Sequence, residues 1–492
     1  MDSTAGITDL AAHELAARVA ARTLSCREVM QAFLARIDEV NPVVNAIVSR
    51  RDGDVLIAEA DACDRVLAQR SERDTPRSFL FGLPQAIKDM VPTAGLRTTS
   101  GSPLLKDFVP AADALLVQRM KAAGCIVVGK TNTPEFGLGS HTFNEVFGAT
   151  RNAFDPTRSA GGSSGGAAVA LAMRMLPVAD GSDSMGSLRN PAAWNNVFGF
   201  RPSQGRVPAW PAADAWLTHF GTEGPMARNV RDLALLLDVQ AGHDPRAPLS
   251  LASEASFADR LDMAAASDDA PVRIGWLGDL GGHLATEPGI LEACAAGLAR
   301  LRGAACNVEP LSLGFAPDRI WQSWITLRSW LVHARLAPLL NDQPANRVHV
   351  KPEALWEYDR GTALSASQVM AASVERTAFF QHALTLFESV DFLALPTTQV
   401  WPFPVEWRWP ERIGERRMDT YHRWMETVVI ATFAGLPAVS VPVGFDGRGL
   451  PAGVQLIGRP RDDFGVLRLA QRYEALASEV LDRRPAPSLP RQ

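Results

Sequence analysis

Two runs of small residues, GGSSGG at 161–166 and DGSDSMGS at 180–187, bring Ser163, Ser164, Ser182, Ser184 and Ser187 into one short span of chain. A hydroxyl is a weak nucleophile until a base removes its proton, so chemistry at these serines requires a base nearby. Read by itself, the first run admits several roles. A tether should lie between weakly patterned polar segments, yet this run leads straight into AAVALAMRML, a strong helix former. A phosphate cradle of the Walker type needs a preceding strand and a following Lys, and the run has neither. It also satisfies Gly-x-Ser-x-Gly with Ser163 at the centre, a nucleophile elbow that calls for a later Asp and His. His219, His243, His283, His333, His349, His382 and His422 all follow, but none stands in a context that singles it out.

Lysine is the other candidate base, because Arg stays protonated. The chain has only Lys88, Lys106, Lys121, Lys130 and Lys351 among its 49 basic residues. Lys88, in LPQAIKDMV, follows an apolar strand-like run where desolvation would depress its pKa toward that of a usable base. A lysine ion-paired with an acid is the plainer alternative. Lys130, in VVGKTN, also ends a strand and is a weaker candidate. Ser-x-x-Lys, another serine–lysine arrangement, occurs at none of the five.

These residues need elements to hold them. Residues 7–70 carry apolar positions at helical spacing, with a predicted helix stopping at Asn41-Pro42. A polar stretch, QRSERDTPRS, separates them from the first strand-like segment, FLFGLPQAIKDMV. DALLVQRMKAAGCIVVGKTN reads as a helix running into a buried strand, and DFLALPT, AVSVPVG and AGVQLIG are further strands. The two Gly/Ser runs bracket one helix, which brings their hydroxyls together if the chain returns after MLPVA. The class is α/β, a sheet covered by helices. The regions near 245 and 410 are irregular, and no internal repeat is present.

The 492 residues and 47% hydrophobic content allow a substantial core. A net charge of −5, with charges interspersed, offers no basic stripe for nucleic acid. No secretory signal and no membrane-length apolar run are evident. Five widely spaced cysteines, Cys26, Cys63, Cys125, Cys294 and Cys306, suit buried thiols in a reducing cytoplasm. No metal or nucleotide motif is found, so no cofactor is expected.

At GLPQAIKDM, GCIVVGKTNTPEFG, GATRNAFDPTRSAGGSSGG, PVADGSDSMGSLRNPAAWNNVFGFRPSQGRV and GLPAVSVPVGFDGRGLPAGVQLIGRP the sequence resembles the amidase signature family, across positions 82–460 and in the family's order. The resemblance implies one large domain built on a central, mixed, twisted β-sheet with helices on both faces. Within residues 1–492 it suggests a helical preface at 1–75, a signature core at 80–230, a substrate-shaping part at 245–430 and C-terminal elements at 431–492. It further implies a relay of Lys88, Ser163 behind a cis peptide bond, and the nucleophile Ser187. In such a relay, neutral Lys88 takes the proton of Ser163 while Ser163 takes that of Ser187, whose oxygen attacks a carbonyl. Gly162 eases the backbone around Ser163. The backbone N–H groups of Ser184, Met185, Gly186 and Ser187 would face the oxyanion. Met185 departs from the family, which has Gly there, so the shape of that hole or the size of the acyl pocket should differ. Asp183 and Arg189 match positions that look structural, and Ser164 and Ser182 are polar neighbours.

The resemblance implies a serine-dependent amidohydrolase that cleaves C–N bonds through an acyl-enzyme. Aromatic residues gather at 209–220, 319–331 and 401–409, and with Trp194 they suggest an apolar or aryl-lined pocket built from Trp210, Trp216, Trp321, Trp324 and Trp401. At Trp321 and Trp324 the near-helical spacing fits a core stripe as well as a pocket. The expected partner is a small amide, carbamate or ester, with aryl acylamidase or urethanase activity, in a cytoplasmic monomer or homodimer that binds neither nucleic acid nor membrane. Two other functions fit: the A subunit of a glutamyl-tRNA amidotransferase, and a non-catalytic binding protein keeping the fold.

Overall fold

A computed structural model describes residues 6–69, 78–217, 220–252, 255–264, 271–341 and 343–486. The expected polar stretch at 69–78 and His219 lie almost wholly or wholly outside these residues. The N-terminal segment forms helices Ala12–Ala20, Cys26–Val44 and Gly53–Gln69, interrupted by strand β1 (Ile47–Val48). The second helix does not stop at Asn41-Pro42 as its sequence suggests. It runs to Val44 and ends at Asn45, whose φ of 50° is left-handed. Proline removes only one donor, and this close to the helix end little of the hydrogen-bond ladder remains to be lost. The Asn41 side chain then accepts from the N–H groups of Ala46 and Ile47, steering the chain into β1.

Strands β2 (Pro84–Lys88) and β3 (Ile126–Thr131) pair in parallel, and β1 pairs antiparallel to β3, giving a small sheet of order β1-β3-β2. The large sheet comprises β4 (Val178–Asp183), β5 (Phe198–Arg201), β6 (Thr222–Ala227), β7 (Val272–Trp276), β8 (Cys306–Pro310), β9 (Phe392–Pro396), β12 (Ala438–Phe445) and β13 (Pro451–Ile457). A separate hairpin of β10 (Arg412–Ile413) and β11 (Arg416–Arg417) stands apart from it. The large sheet runs β4-β6-β5-β12-β13-β9-β7-β8 and is mixed, with parallel pairing only at β7/β8 and β7/β9. The fold is α/β, as read from the sequence, but the strand carrying Lys88 belongs to the small sheet and meets the large one through β4. The join is a hydrogen bond from the Lys88 backbone N–H to the Asp180 carboxylate, at 3.1 Å.

Helix Gly165–Ala172 is buried at every position. That explains a sequence, GGAAVALA, without an amphipathic face: a helix surrounded on all sides needs small, apolar residues all round. A Cβ at Gly166 would come within 2.4 Å of the Asn132 backbone N, so only glycine lets the helix approach β3 this closely. The approach fixes where the serines preceding the helix stand relative to β2.

Candidate active site

Lys88, at the end of β2, is completely buried. Its Nζ lies 2.7 Å from Ser163 Oγ, 2.9 Å from Ser164 Oγ and 2.9 Å from Ser182 Oγ. Three hydroxyls suit either protonation state of the amine. An ammonium donates three hydrogen bonds; a neutral amine donates two and accepts one. Burial pushes the Lys88 pKa down to about 7, against the opposing pull of Asp180, Asp183 and Glu223. Lys130, the weaker lysine candidate, is turned elsewhere: its Nζ donates to Val91 O at 2.6 Å and meets Thr93 Oγ1 at 2.9 Å.

The Gly162–Ser163 peptide bond is cis. Around it the backbone oxygens are held by side chains: Ser140 Oγ donates to Gly162 O at 2.6 Å, and Thr142 Oγ1 donates to Gly161 O at 2.8 Å. A Cβ at Gly162 would press on Thr142 Oγ1 at 3.0 Å and His141 N at 3.2 Å. His141 belongs to this scaffold. A carbonyl can only accept, so its Nε2 donates to Val405 O (2.9 Å), leaving Nδ1 to accept from Ser159 Oγ (2.8 Å). Burial lowers its pKa to about 4, which keeps the ring neutral. Among the described histidines none hydrogen-bonds to Ser163 or Ser187, so the elbow reading finds no imidazole here.

The turn after β4 is organised by Asp183. Its carboxylate accepts from Arg189 (2.9 and 3.1 Å), Arg201 (3.2 Å), the Gly186 N–H (2.8 Å) and the Leu188 N–H (3.3 Å). Burial alone would raise the Asp183 pKa; Arg189 and Arg201 beside it outweigh that and hold it far below the usual carboxylate range. Arg189 also donates to Gln455 Oε1 at 2.5 Å and to Val428 O at 3.2 Å, tying the turn to β13 and to the 3-10 segment before helix Val429–Ala434. One consequence corrects the expected anion hole. The Gly186 N–H is spent on Asp183, whereas those of Met185 and Ser187 make no hydrogen bond to the described residues. Met185 is buried in an apolar cluster that also holds Trp194, Phe220 and Val428, and it is not among the residues lining the cavity beside the serines. It takes no left-handed φ, which falls on Gly186 at 78°.

Ser163, Ser182, Ser184 and Ser187 face a cavity of about 360 Å³. Ser187 Oγ makes no hydrogen bond to the described residues. Its backbone oxygen accepts from the Ser164 N–H at 3.2 Å, which sets the two serine runs side by side. The walls are largely apolar, with Phe136 and Leu138 on one side, Phe220 on another, and Trp324, Leu331 and Val332 from helix Pro317–Leu340.

Of the six tryptophans read as pocket residues, only Trp324 lines this cavity. Trp194 is fully buried, stacks on Trp424 at 5.6 Å and donates to Val400 O. Trp321 is buried against Trp324. Trp401 donates to Pro288 O beside a separate, shallower depression. Trp210 sits before the cis Pro211, where its carbonyl accepts from Leu115 N, and Trp216 is 65% exposed. Large flat rings fill core gaps as readily as clefts, and here packing takes most of them. Sequence reasoning missed Asp180, Ser140 and Thr142, whose short polar side chains leave no periodic signal. It also missed Phe136, which lies inside a quoted motif.

The family model for amidases matches residues 28–467. This chain belongs to the amidase signature family. Among curated amidase-family relatives, the acylamidase of Rhodococcus erythropolis is 33% identical over 489 residues, covering 98% of each chain. The amidase-family component of the glutamyl-tRNA(Gln) amidotransferase of Thermus thermophilus is 37% identical over 484 residues, covering 94% of this chain and 96% of the relative. Among solved structures, a bacterial aryl acylamidase of the amidase signature family superimposes with a TM-score of 0.88 at 29% identity, covering 96% of this chain and 98% of that one. A 6-aminohexanoate cyclic dimer hydrolase gives 0.84 at 26% identity, with 97% and 99% covered. Among the described residues no helix is long and apolar enough to cross a membrane.

Proposed function

We propose that this amidase-family chain is a serine amidohydrolase that cleaves small apolar or aryl amides, with carbamates and esters as alternate substrates, using Lys88, Ser163 and Ser187. The observation that carries this reading is the 2.7 Å contact between Lys88 Nζ and Ser163 Oγ, with Ser187 opening on the same cavity.

Neutral Lys88 accepts the Ser163 proton as Ser163 accepts that of Ser187. The Ser187 Oγ forms a bond to the amide carbon, and the oxygen becomes an oxyanion facing the Met185 and Ser187 N–H groups. The proton returns through Ser163 to the amide nitrogen, the C–N bond breaks and the amine leaves. Water then attacks the ester of Ser187 by the same route and releases the acid. Since Ser187 Oγ makes no hydrogen bond to the described residues, the relay requires substrate binding to bring it to Ser163; catalytic contacts often tighten only in the complex. The apolar walls favour a hydrophobic acyl or aryl group.

A panel of 4-nitroanilides, aryl carbamates and short polar amides tests the substrate class. Anilides and aryl carbamates should be hydrolysed best, and a preference for short polar amides would reject it. The second reading, a component of a glutamyl-tRNA amidotransferase, draws on the 37% identity to the Thermus thermophilus relative. It requires glutamine specificity and a partner complex. Turnover of anilides by the purified single chain, with no preference for glutamine, separates the two. A binding protein without catalysis would fail to be labelled at Ser187 by a sulfonyl or organophosphorus reagent. Met185, buried and not among the cavity's lining residues, lends that option no support.

A further inference from the structure

Helix Pro317–Leu340 presents Trp324, Arg328, Leu331 and Arg335 to the cavity at intervals of three or four residues, one stripe of the helix. The two arginines differ. Arg328 is neutralised: its Nε meets Glu357 Oε1 at 2.5 Å and its Nη2 meets Tyr421 Oη at 3.1 Å. Arg335 has no carboxylate partner among the described residues. Its one hydrogen bond among the described residues, from Nη2, goes to Phe136 O at 2.5 Å, and the residue lines the cavity. Arg335 is exposed to solvent as well as lining the cavity, and it remains charged at neutral pH. A buried donor on the same stripe is unsatisfied: Trp324 is fully buried and its indole N–H has no partner among the described residues. Away from the serines the walls are largely apolar, with Arg328 and Asp214 the other charged residues in the lining, and a planar guanidinium beside such walls is suited to paired oxygen acceptors.

We propose that Arg335 is a specificity-determining residue that binds an oxygen-acceptor group, a carboxylate or an ester or carbamate carbonyl, on a part of the substrate remote from the bond cleaved. This rests on the amidase reading and narrows it: the substrate is apolar along its middle and carries oxygen acceptors at its far end. The bond from Arg335 to Phe136 O fixes the guanidinium against the opposite wall, so the acceptor site is in place before substrate enters.

Three 4-nitroanilides of similar acyl length test this: pentanoyl, glutaryl monomethyl ester and glutaryl. Both oxygen-bearing substrates should exceed pentanoyl in kcat/KM through a lower KM. The advantage should be a few-fold for a neutral carbonyl and roughly 10- to 100-fold for a carboxylate, so their order identifies which acceptor the site takes. In Arg335→Met the advantage over pentanoyl should vanish, whatever change common to all three substrates follows from removing a charge that acts on Lys88. Arg335→Lys, which keeps the charge but not the fork, should retain part of the carboxylate preference, and it serves if the methionine variant does not fold. A residue that only pins the Phe136 wall would alter all three substrates alike. Equal rates for all three with wild type, or an advantage unchanged in the variants, overturns the assignment. If no anilide is turned over although a sulfonyl reagent labels Ser187, the acceptor assignment falls; if the label also fails, the amidohydrolase reading falls with it.

Discussion

Lys88 Nζ stands 2.7 Å from Ser163 Oγ, whereas Ser187 Oγ, on the same cavity, has no hydrogen bond to the described residues. In the proposed relay, base and bridge are thus assembled before substrate enters, and the nucleophile is left to be engaged by substrate. Hydroxyls from two separate runs, at 163–164 and 182, converge on one amine because the buried helix Gly165–Ala172 returns the chain to β4.

Removing any member of this set should therefore act on kcat more than on KM. Ser187→Ala should abolish turnover. Ser163→Ala and Lys88→Ala should each lower kcat by roughly 10²- to 10⁴-fold, the range for loss of general base catalysis. Steady-state kinetics alongside circular dichroism melting checks this. Wild-type kcat in any one variant removes that residue from the relay.

The pH profile carries a sign that can be worked out. The neutral amine is the base, and burial places the Lys88 pKa at about 7. Activity should thus rise about tenfold per pH unit on the acid side and level off as pH passes through 7. Asp180 opposes this shift, since its charge favours the ammonium. Its own pKa is raised to about 6 by burial, so it is ionised over the upper part of the rising limb, next to the Lys88 transition. In Asp180→Asn the amide oxygen still accepts the Lys88 N–H but the charge is gone, and the acid limb of kcat/KM should move to lower pH. A limb that stays put or moves upward contradicts the assignment of Lys88 as the titrating base.

Asp183 holds two buried arginines and two backbone N–H groups. Asp183→Asn keeps the shape but leaves Arg189 and Arg201 without their counter-charge, so denaturant unfolding should show a loss of about 3 to 5 kcal/mol. A loss below about 1 kcal/mol would mean that other acceptors, such as Gln455, carry the arginines.

The sequence disclosed the site more fully than its walls, for a physical reason. Lys88 lies in an apolar run of a chain poor in lysine, and the serine runs have a composition that neither helix nor strand explains, so both stand out. The strands were legible because β2, β9, β12 and β13 are largely buried and read as apolar runs. Pairing left no such trace: nothing local to LPQAIK says that β2 joins β3 and β1 instead of the large sheet. The tryptophans misled because an indole ring is as useful in the core as in a cleft, and only the helix register separates Trp324 from Trp321. Arg335 passed unnoticed among many arginines, since what distinguishes it is a missing partner in space.

Met185 tests how far a side chain can depart from its family's glycine without touching the chemistry. It follows Ser184 and precedes Gly186, whose φ of 78° carries the turn, so the methionine itself needs no left-handed backbone. Its side chain is 2% exposed and packs in the apolar cluster behind the turn. Two effects then compete in Met185→Ala. Truncation leaves a void that costs about 2 to 5 kcal/mol of stability, whereas the cavity beside Ser187 keeps its lining. Melting temperature should fall, and the ratio of kcat/KM between acetyl, butanoyl and hexanoyl anilides should stay within about twofold of wild type, because twofold corresponds to only ~0.4 kcal/mol of differential binding. If the variant instead gains markedly on the longest acyl chain, the methionine limits the acyl space after all, and its placement behind the turn would be wrong for the working enzyme.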